Sequence, residues 1–218
     1  MIELTAAGSQ EVSSALKIIL ALTFIGLLPG LLVAVTSFTR IIIVLSMLRQ
    51  ALGMQETPPN MVLTGLALFL TLFTMAPVLQ QVNERALEPL LADRISVQDA
   101  ARSAATPLRE FMVRHTREQD LTLMVEIAGA RAPASVEEIS LAHLVPAFML
   151  SELRTAFQIG FVIFLPFLLV DLIVSSVLMS MGMLMVPPIV ISLPIKILMF
   201  VLVDGWSLIV RSLVSGFS

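Results

Sequence analysis

Long apolar runs bounded by polar breaks set the organisation of this chain. From Ile18 to Phe38 there are 21 residues without a charge, and a bilayer-spanning helix needs about 20. Pro29-Gly30 falls in the middle of the run and predicts a kink or break, giving two shorter helices. Ile41 to Leu48 is a second apolar run, flanked by Arg40 and Arg49. It is too short to span and fits the second arm of a hairpin. Gly53 and Pro58-Pro59-Asn60 mark a loop, with Thr57 or Asn60 placed to cap the next helix. Met61 to Gln81 is again free of charge, with Gly65 and Pro77 inside it.

The middle of the chain reverses this character. Residues 84–154 hold 19 of the 29 charged residues. Pro89, Pro107 and Pro133 divide this block. Ser96 with Asp99 has the spacing of a helix start, and Ser135 with Glu138 repeats it. Leu108, Phe111, Met112, Leu121, Leu123, Met124 and Ile127 fall mostly on one face of a helix. The expectation is two or three short amphipathic helices that cover another surface.

Apolar character returns at Pro146. Phe157–Val170 and Leu172–Pro194 are separated by Asp171 alone, and Ile195–Val210 holds Lys196 and Asp204. Four spans are expected, near 18–38, 61–81, 157–178 and 189–210. Arg40 and Arg49 against Glu56 draw the 40–60 loop to the cytoplasm. The charged block then lies outside, and the last hairpin turn returns to the cytoplasmic side. The chain reads as all-α, built of membrane-protein-type helical hairpins. Apolar hairpins occupy 1–83, a polar, mostly helical segment 84–145, and a C-terminal apolar hairpin 146–218.

Its prolines and buried charges sit poorly against lipid. Pro29, Pro77, Pro166 and Pro194 interrupt apolar runs, and a charge at the bilayer centre costs about 3 kcal/mol on insertion scales. Packing against other copies would tolerate them better. Glu152 and Arg154 open the third apolar segment. Asp171 and Lys196 lie at similar depth if the last two segments form a hairpin. Structural pairing, within one chain or between copies, accounts for Glu152, Arg154, Asp171, Lys196 and Asp204. The competing reading is a proton relay, which also needs a water path lined by further polar groups.

At the turn of that last hairpin stands Met179-Ser-Met-Gly-Met-Leu-Met-Val-Pro-Pro188. Met179, Met181, Met183 and Met185 recur at every second position, which fits an extended or looping segment better than a helix. Gly182 frees the backbone, and Pro187-Pro188 disfavours helical angles just before it. Two readings compete. One is a turn filled with an adaptable apolar residue; the other is a deformable thioether constriction in a pore.

Composition agrees with a membrane class. The chain is 57% hydrophobic and 13% charged, against about half and about a quarter in soluble domains. A net charge of -3 argues against nucleic acid as a partner. The absence of cysteine excludes disulfides and thiolate metal sites. His115, among Arg114, Arg117 and Glu118, reads as solvated, and His143 as a structural histidine. No phosphate-binding loop, dinucleotide fingerprint, nucleophile elbow or zinc-protease motif is present. No enzyme activity, cofactor or metal is expected, and an ATP-driven role would need a partner. The first ten residues have neither the basic nor the apolar region of a secretory signal. Either the first apolar segment targets the chain or a leader is missing.

Several motifs, in order, carry a family resemblance. Pro146-Ala-Phe-Met-Leu-Ser-Glu-Leu-Arg-Thr-Ala-Phe-Gln-Ile-Gly-Phe161 resembles the first signature of the FliP/SctR family of type III secretion export-gate proteins. Pro166-Phe-Leu-Leu-Val-Asp-Leu172, running into the methionine stretch and Pro187-Pro188, resembles the second. Thr36-Ser-Phe-Thr-Arg40, Leu48-Arg-Gln-Ala-Leu-Gly53, Pro58-Pro-Asn60 and Val203-Asp-Gly-Trp206 are similar to it too. Ser37-Phe-Thr-Arg40 and the Phe111–Asp120 segment look more like the flagellar branch than the injectisome branch. Two departures stand out: the cleavable signal of flagellar members is missing, and Leu184 interrupts the family's run of methionines.

The resemblance implies a ring- or cone-shaped export gate in the bacterial inner membrane, within the flagellar basal body. It implies a homo-oligomer, a pentamer by family precedent, completed by FliQ and FliR and working with FlhB and FlhA. Much of that assembly, including the charged segment, would lie on the periplasmic side. Unfolded flagellar subunits would pass through its centre. Met183, Leu184 and Met185 would form the constriction, with Met179 and Met181 packing behind. The alternative is a stand-alone ion channel or proton-coupled secondary transporter, with Asp171 and Lys196 lining its path.

Overall fold

The computed structural model describes residues 19, 22–23, 26–27, 29–130, 138–183 and 185–217. The chain divides into two compact units, Met1–Ala34 and Val35–Ser218. In the first unit the described residues are helical, and Leu22, Leu27, Leu31 and Leu32 are exposed. Pro29 and Gly30 are themselves helical, and their helical run continues to Val35. A break follows this run at Thr36-Ser37.

The second unit is all helical among the described residues. Its main elements are α1 (Phe38–Ala51), α2 (Asn60–Val82), α3 (Val97–His115), α4 (Glu118–Ile127), α5 (Leu141–Ser180), α6 (Pro188–Leu202) and α7 (Gly205–Ser215). A π-helical stretch, Asn83–Leu87, and a short turn, Glu88–Leu91, extend α2. Among the described residues two helices, Asn60–Leu91 and Leu141–Ser180, are long and apolar enough to cross a membrane, or up to four if each broken pair is one span. The expected span at 189–210 is such a pair. It breaks at Val203-Asp204, where Asp204 takes left-handed angles, and α6 and α7 meet at 64°.

Helix α5 is the spine, packing against α1, α3, α4 and α6. It has 40 residues, about 60 Å at 1.5 Å per residue, roughly twice the hydrocarbon core of a bilayer. Pro146 and Pro166 lie inside it without ending it. The predicted span at 157–178 is therefore only its C-terminal half. Its start is fixed by Ser140, whose hydroxyl accepts from the Ala142 N–H at 3.3 Å. Ser135 of the anticipated cap lies outside the described residues.

Three apolar clusters run along this spine. Ile41, Val44, Leu45, Leu63, Ala67, Leu70, Ala156 and Leu213 join α1, α2, α5 and α7. Met75, Val78, Phe111, Met112, Leu144 and Phe148 join α2, α3 and α5. Leu48, Ala51, Leu52, Phe167 and Phe200 close the end nearest the methionine turn. Gly160 lets α1 approach closely, because a Cβ there would collide with the Met47 thioether.

Local signals fared unevenly. Ser96 caps α3 as its spacing predicts, accepting from the Asp99 N–H at 3.2 Å and donating to the Asp99 carboxylate at 2.7 Å. Neither Thr57 nor Asn60 caps α2. Asn60 is its first residue, and its side-chain oxygen accepts from Arg49 Nη1 at 2.6 Å. Pro107 is buried inside α3 and divides nothing. The single amphipathic face anticipated over 108–127 is broken at Thr116-Arg117. Phe111 and Met112 are buried, whereas Leu123 and Ile127 are exposed and Val125 and Asp120 face inward.

Much apolar surface stays uncovered. Only 17% of the most apolar window of α5 is buried, and 28% of that in Asn60–Leu91. Phe69, Phe73, Phe157, Phe161, Leu168 and Leu172 all face outward. Patches this extensive require lipid or protein as cover.

Candidate functional site

The methionine turn is shorter than its alternation suggests. Met179 and Ser180 are the last residues of α5, and only Met181–Pro187 form the turn. The end of α5 is a paired-hydrogen-bond cap. The Met183 N–H donates to the Leu178 carbonyl and the Gly182 N–H to the Met179 carbonyl, both at 3.0 Å. Such a cap needs left-handed angles at its central residue, and Gly182 supplies them at φ +75°. Pro188 then opens α6 at the position where a missing N–H costs nothing. Met179, Met181, Met183 and Met185 are 67%, 62%, 43% and 97% exposed. Leu184 lies outside the described residues.

About ten residues back along each arm, an ion pair ties the hairpin. Lys196 Nζ donates to Asp171 Oδ2 at 2.6 Å and to the Ala51 carbonyl at 3.1 Å. The lysine side chain is 4% exposed and the aspartate 45%. The contact joins α5, α6 and the last residue of α1, so the turn projects from a braced base.

The deepest charges are at the other end. Arg40 grips Glu152 with both faces of its guanidinium fork, Nε to Oε2 at 2.8 Å and Nη2 to Oε1. Its Nη1 donates to the Gly216 carbonyl at 3.1 Å, and its guanidinium carbon lies 3.8 Å from the Phe217 ring centre. One arginine thus binds α1, α5 and the residues after α7. Sequence reasoning set Glu152 beside Arg154 and left Arg40 out of the candidate set. Its signal was a lone arginine between two apolar runs.

Arg154 turns the other way. It lies 3.9 Å from Asp120, with its side chain half exposed. Asp120 itself is buried and accepts from the Ser151 hydroxyl at 2.7 Å, which in turn accepts from the Arg117 N–H at 3.0 Å. These bonds dock the start of α4 on α5. Asp204 is exposed at its left-handed turn and joins neither buried pair. In the single chain it is a surface residue rather than a buried charge.

His115 is not the solvated residue its neighbours suggest. It is half-buried against Phe111 and Phe217, with ring centres 4.6 and 5.3 Å away. Its Nδ1 bonds the Phe111 carbonyl at 2.8 Å. Burial lowers its pKa below the usual 6.5; the Phe111 carbonyl opposes this, and Arg40 and Arg114 reinforce it.

Two outcomes are expected. Arg40→Met alone should destabilise the chain by about 3–5 kcal/mol, because it strands a buried carboxylate, whereas Arg40→Met with Glu152→Leu should recover most of that loss. Denaturant unfolding in detergent micelles checks it; equal losses in single and double variants would contradict it. For His115, the folded pKa lies below the unfolded value, so the unfolded chain takes the proton first as pH falls past 6.5. Stability should begin to drop as pH falls through 6.5 and go on dropping until the folded chain takes the proton too, and His115→Phe should flatten that drop in the melting temperature.

Known proteins resemble this chain along almost its whole length. The FliP family model matches residues 21–213. The flagellar biosynthetic protein FliP of Bacillus subtilis is 54% identical over 213 residues, covering 98% of this chain and 96% of that protein. FliP of Pectobacterium carotovorum is 51% identical over 210 residues, covering 96% and 81%. FliP of Aquifex aeolicus is 43% identical over 212 residues, covering 96% and 89%. With the all-helical fold and its long apolar helices, these matches settle the family: the chain belongs to the FliP family.

Proposed function

We propose that this chain is a channel-forming subunit of the flagellar type III protein export gate. It conducts unfolded flagellar subunits across the bacterial inner membrane, and its methionine turn is the pore gasket. The observation that carries this reading is the turn itself. Four methionine side chains project into solvent from a capped helix end, above a hairpin braced by Lys196 and Asp171. One such turn closes nothing. Copies arranged around an axis would converge their thioethers on a seal that excludes ions and still yields to a moving chain, since methionine adapts three torsions at little cost.

The uncovered faces of α2 and α5 support an assembly of copies with FliQ and FliR, adjoining FlhB and FlhA. The length of α5, well beyond one bilayer, supports placing part of the assembly on the periplasmic side. Asp171, half-exposed beside Lys196, is the feature that favours a proton-coupled transporter instead. A transporter would work from this chain alone, whereas a gate subunit needs its partners and stays closed at rest.

Replacing Met183 and Met185 with alanine should raise small-ion leak through the assembled gate in planar bilayers. Unchanged conductance would return the stretch to a simple turn.

A further inference from the structure

We infer that the groove between α5 and α7 binds an anionic phospholipid, with an acyl chain in the groove and the phosphate among Arg117, Arg154 and Arg211. This goes beyond the gate reading and rests on neither the methionine turn nor the number of copies.

Helix α7 packs along α2 and α6, and where it faces α5 a cavity of about 420 Å³ stays open. The floor is Ile159 and Ile163 of α5 with Ile209 of α7, each packed on the core clusters beneath. Val162 and Leu208 form its rims, and both are exposed. The two helices run antiparallel here. The Gly216 carbonyl after α7 meets Arg40, which grips Glu152 of α5, and Leu213 shares a core cluster with Ala156. The end of the groove nearest that junction is therefore the one at Gln158 and Ser212, and it is polar. From there toward the methionine turn the lining is apolar.

Three arginines stand at the polar end. Arg117 Nη2 donates to Gln158 Oε1 at 2.7 Å, which uses one of the five N–H groups of its guanidinium. Arg154 is four residues before Gln158, one turn along the same face of α5, and its side chain is half exposed. Arg211 is exposed and three residues from Leu208, on the outer rim of α7. The acids around them are mostly committed. Glu152 is held by Arg40, and Asp120 is buried, accepts from the Ser151 hydroxyl and lies 3.9 Å from Arg154; Glu118 is exposed beside Arg117 in sequence.

Arg154 is also the last charge before Asp171. The polar end thus falls where the charged block gives way to the apolar run Phe157–Val170, the level at which headgroups meet acyl chains. Basic residues between apolar helices at such a boundary recognise anionic headgroups, and arginine stems lie along apolar surface while the charged head stays at the interface. A second copy could fill the groove with its uncovered α2 face, but Asn60–Val82 holds no charge and would bring no anion to the arginines. Charge complementarity therefore favours the lipid.

Native mass spectrometry of the full chain in detergent, with phosphatidylglycerol, phosphatidylcholine or inorganic phosphate added, tests the site. Phosphatidylglycerol should be retained at least about fivefold more strongly than phosphatidylcholine, and inorganic phosphate alone should not be retained. Arg117→Gln with Arg211→Gln should remove that preference. Val162→Trp, which fills the groove from its exposed rim, should weaken retention of both lipids. Arg102→Gln, on α3, should change neither. The melting temperature reports whether each variant folds; should the arginine pair not fold, Arg211→Gln alone should still lower the preference. Equal retention of the two lipids, an unchanged preference in the arginine variants, or unchanged retention in Val162→Trp would overturn the inference. So would inorganic phosphate displacing the lipid while Val162→Trp has no effect, which marks a phosphate site without an acyl groove. A dimer lost in Val162→Trp while neither lipid binds would give the groove to a second copy instead. Gate conductance enters none of these readings, so this inference and the gasket can each fail alone.

Discussion

A charge placed among apolar helices must find its partner, and this chain is arranged around that constraint. Arg40 and Glu152 are both buried, and neither is tolerable there alone. Their bidentate contact therefore fixes α1 against α5 in one register, and the Gly216 carbonyl and Phe217 ring fill the remaining face of the guanidinium. His115 packs beside the same phenylalanine, so α3 is tied to this junction as well. At the far end of α5, Lys196 answers the same demand by reaching Asp171 and the Ala51 carbonyl. The two contacts hold α1 along α5 at both ends, and the apolar clusters fill the space between.

This bracing gives the methionine turn its character. The turn is capped by its own backbone and stands on a hairpin that cannot splay without breaking the lysine contact. Its side chains are free while its base is fixed. That combination suits a soft contact surface on a rigid mount, whether the contact is a passing chain or a neighbouring turn. The outward faces of α2 and α5 then supply the apolar area through which several such mounts could be held together.

Features encoded by neighbours in sequence were legible. Ser96 with Asp99 announced a helix start because both groups of the cap lie within one turn. Asp171 and Lys196 could be set at similar depth because they lie on the two arms of one expected hairpin. The Arg40–Glu152 contact spans 112 positions, and no local pattern points across that distance. His115 was misjudged for the same reason: its charged neighbours are sequential, whereas Phe217 arrives from the end of the chain. Pro77, Pro146 and Pro166 all lie inside helices. Proline weighed locally as a breaker misleads here, because α2 and α5 run on through Pro77, Pro146 and Pro166. The methionine alternation suggested an extended segment, but the end of α5 takes Met179, and Gly182 concentrates the reversal into one cap.

The central claim is that this chain works as one of several copies in a gate and not as a solitary channel. The most direct measurement is the native mass of the purified protein in detergent, expressed alone and together with FliQ and FliR. The account predicts a complex of several copies that gains further mass from both partners. A stable monomer under both conditions would contradict it.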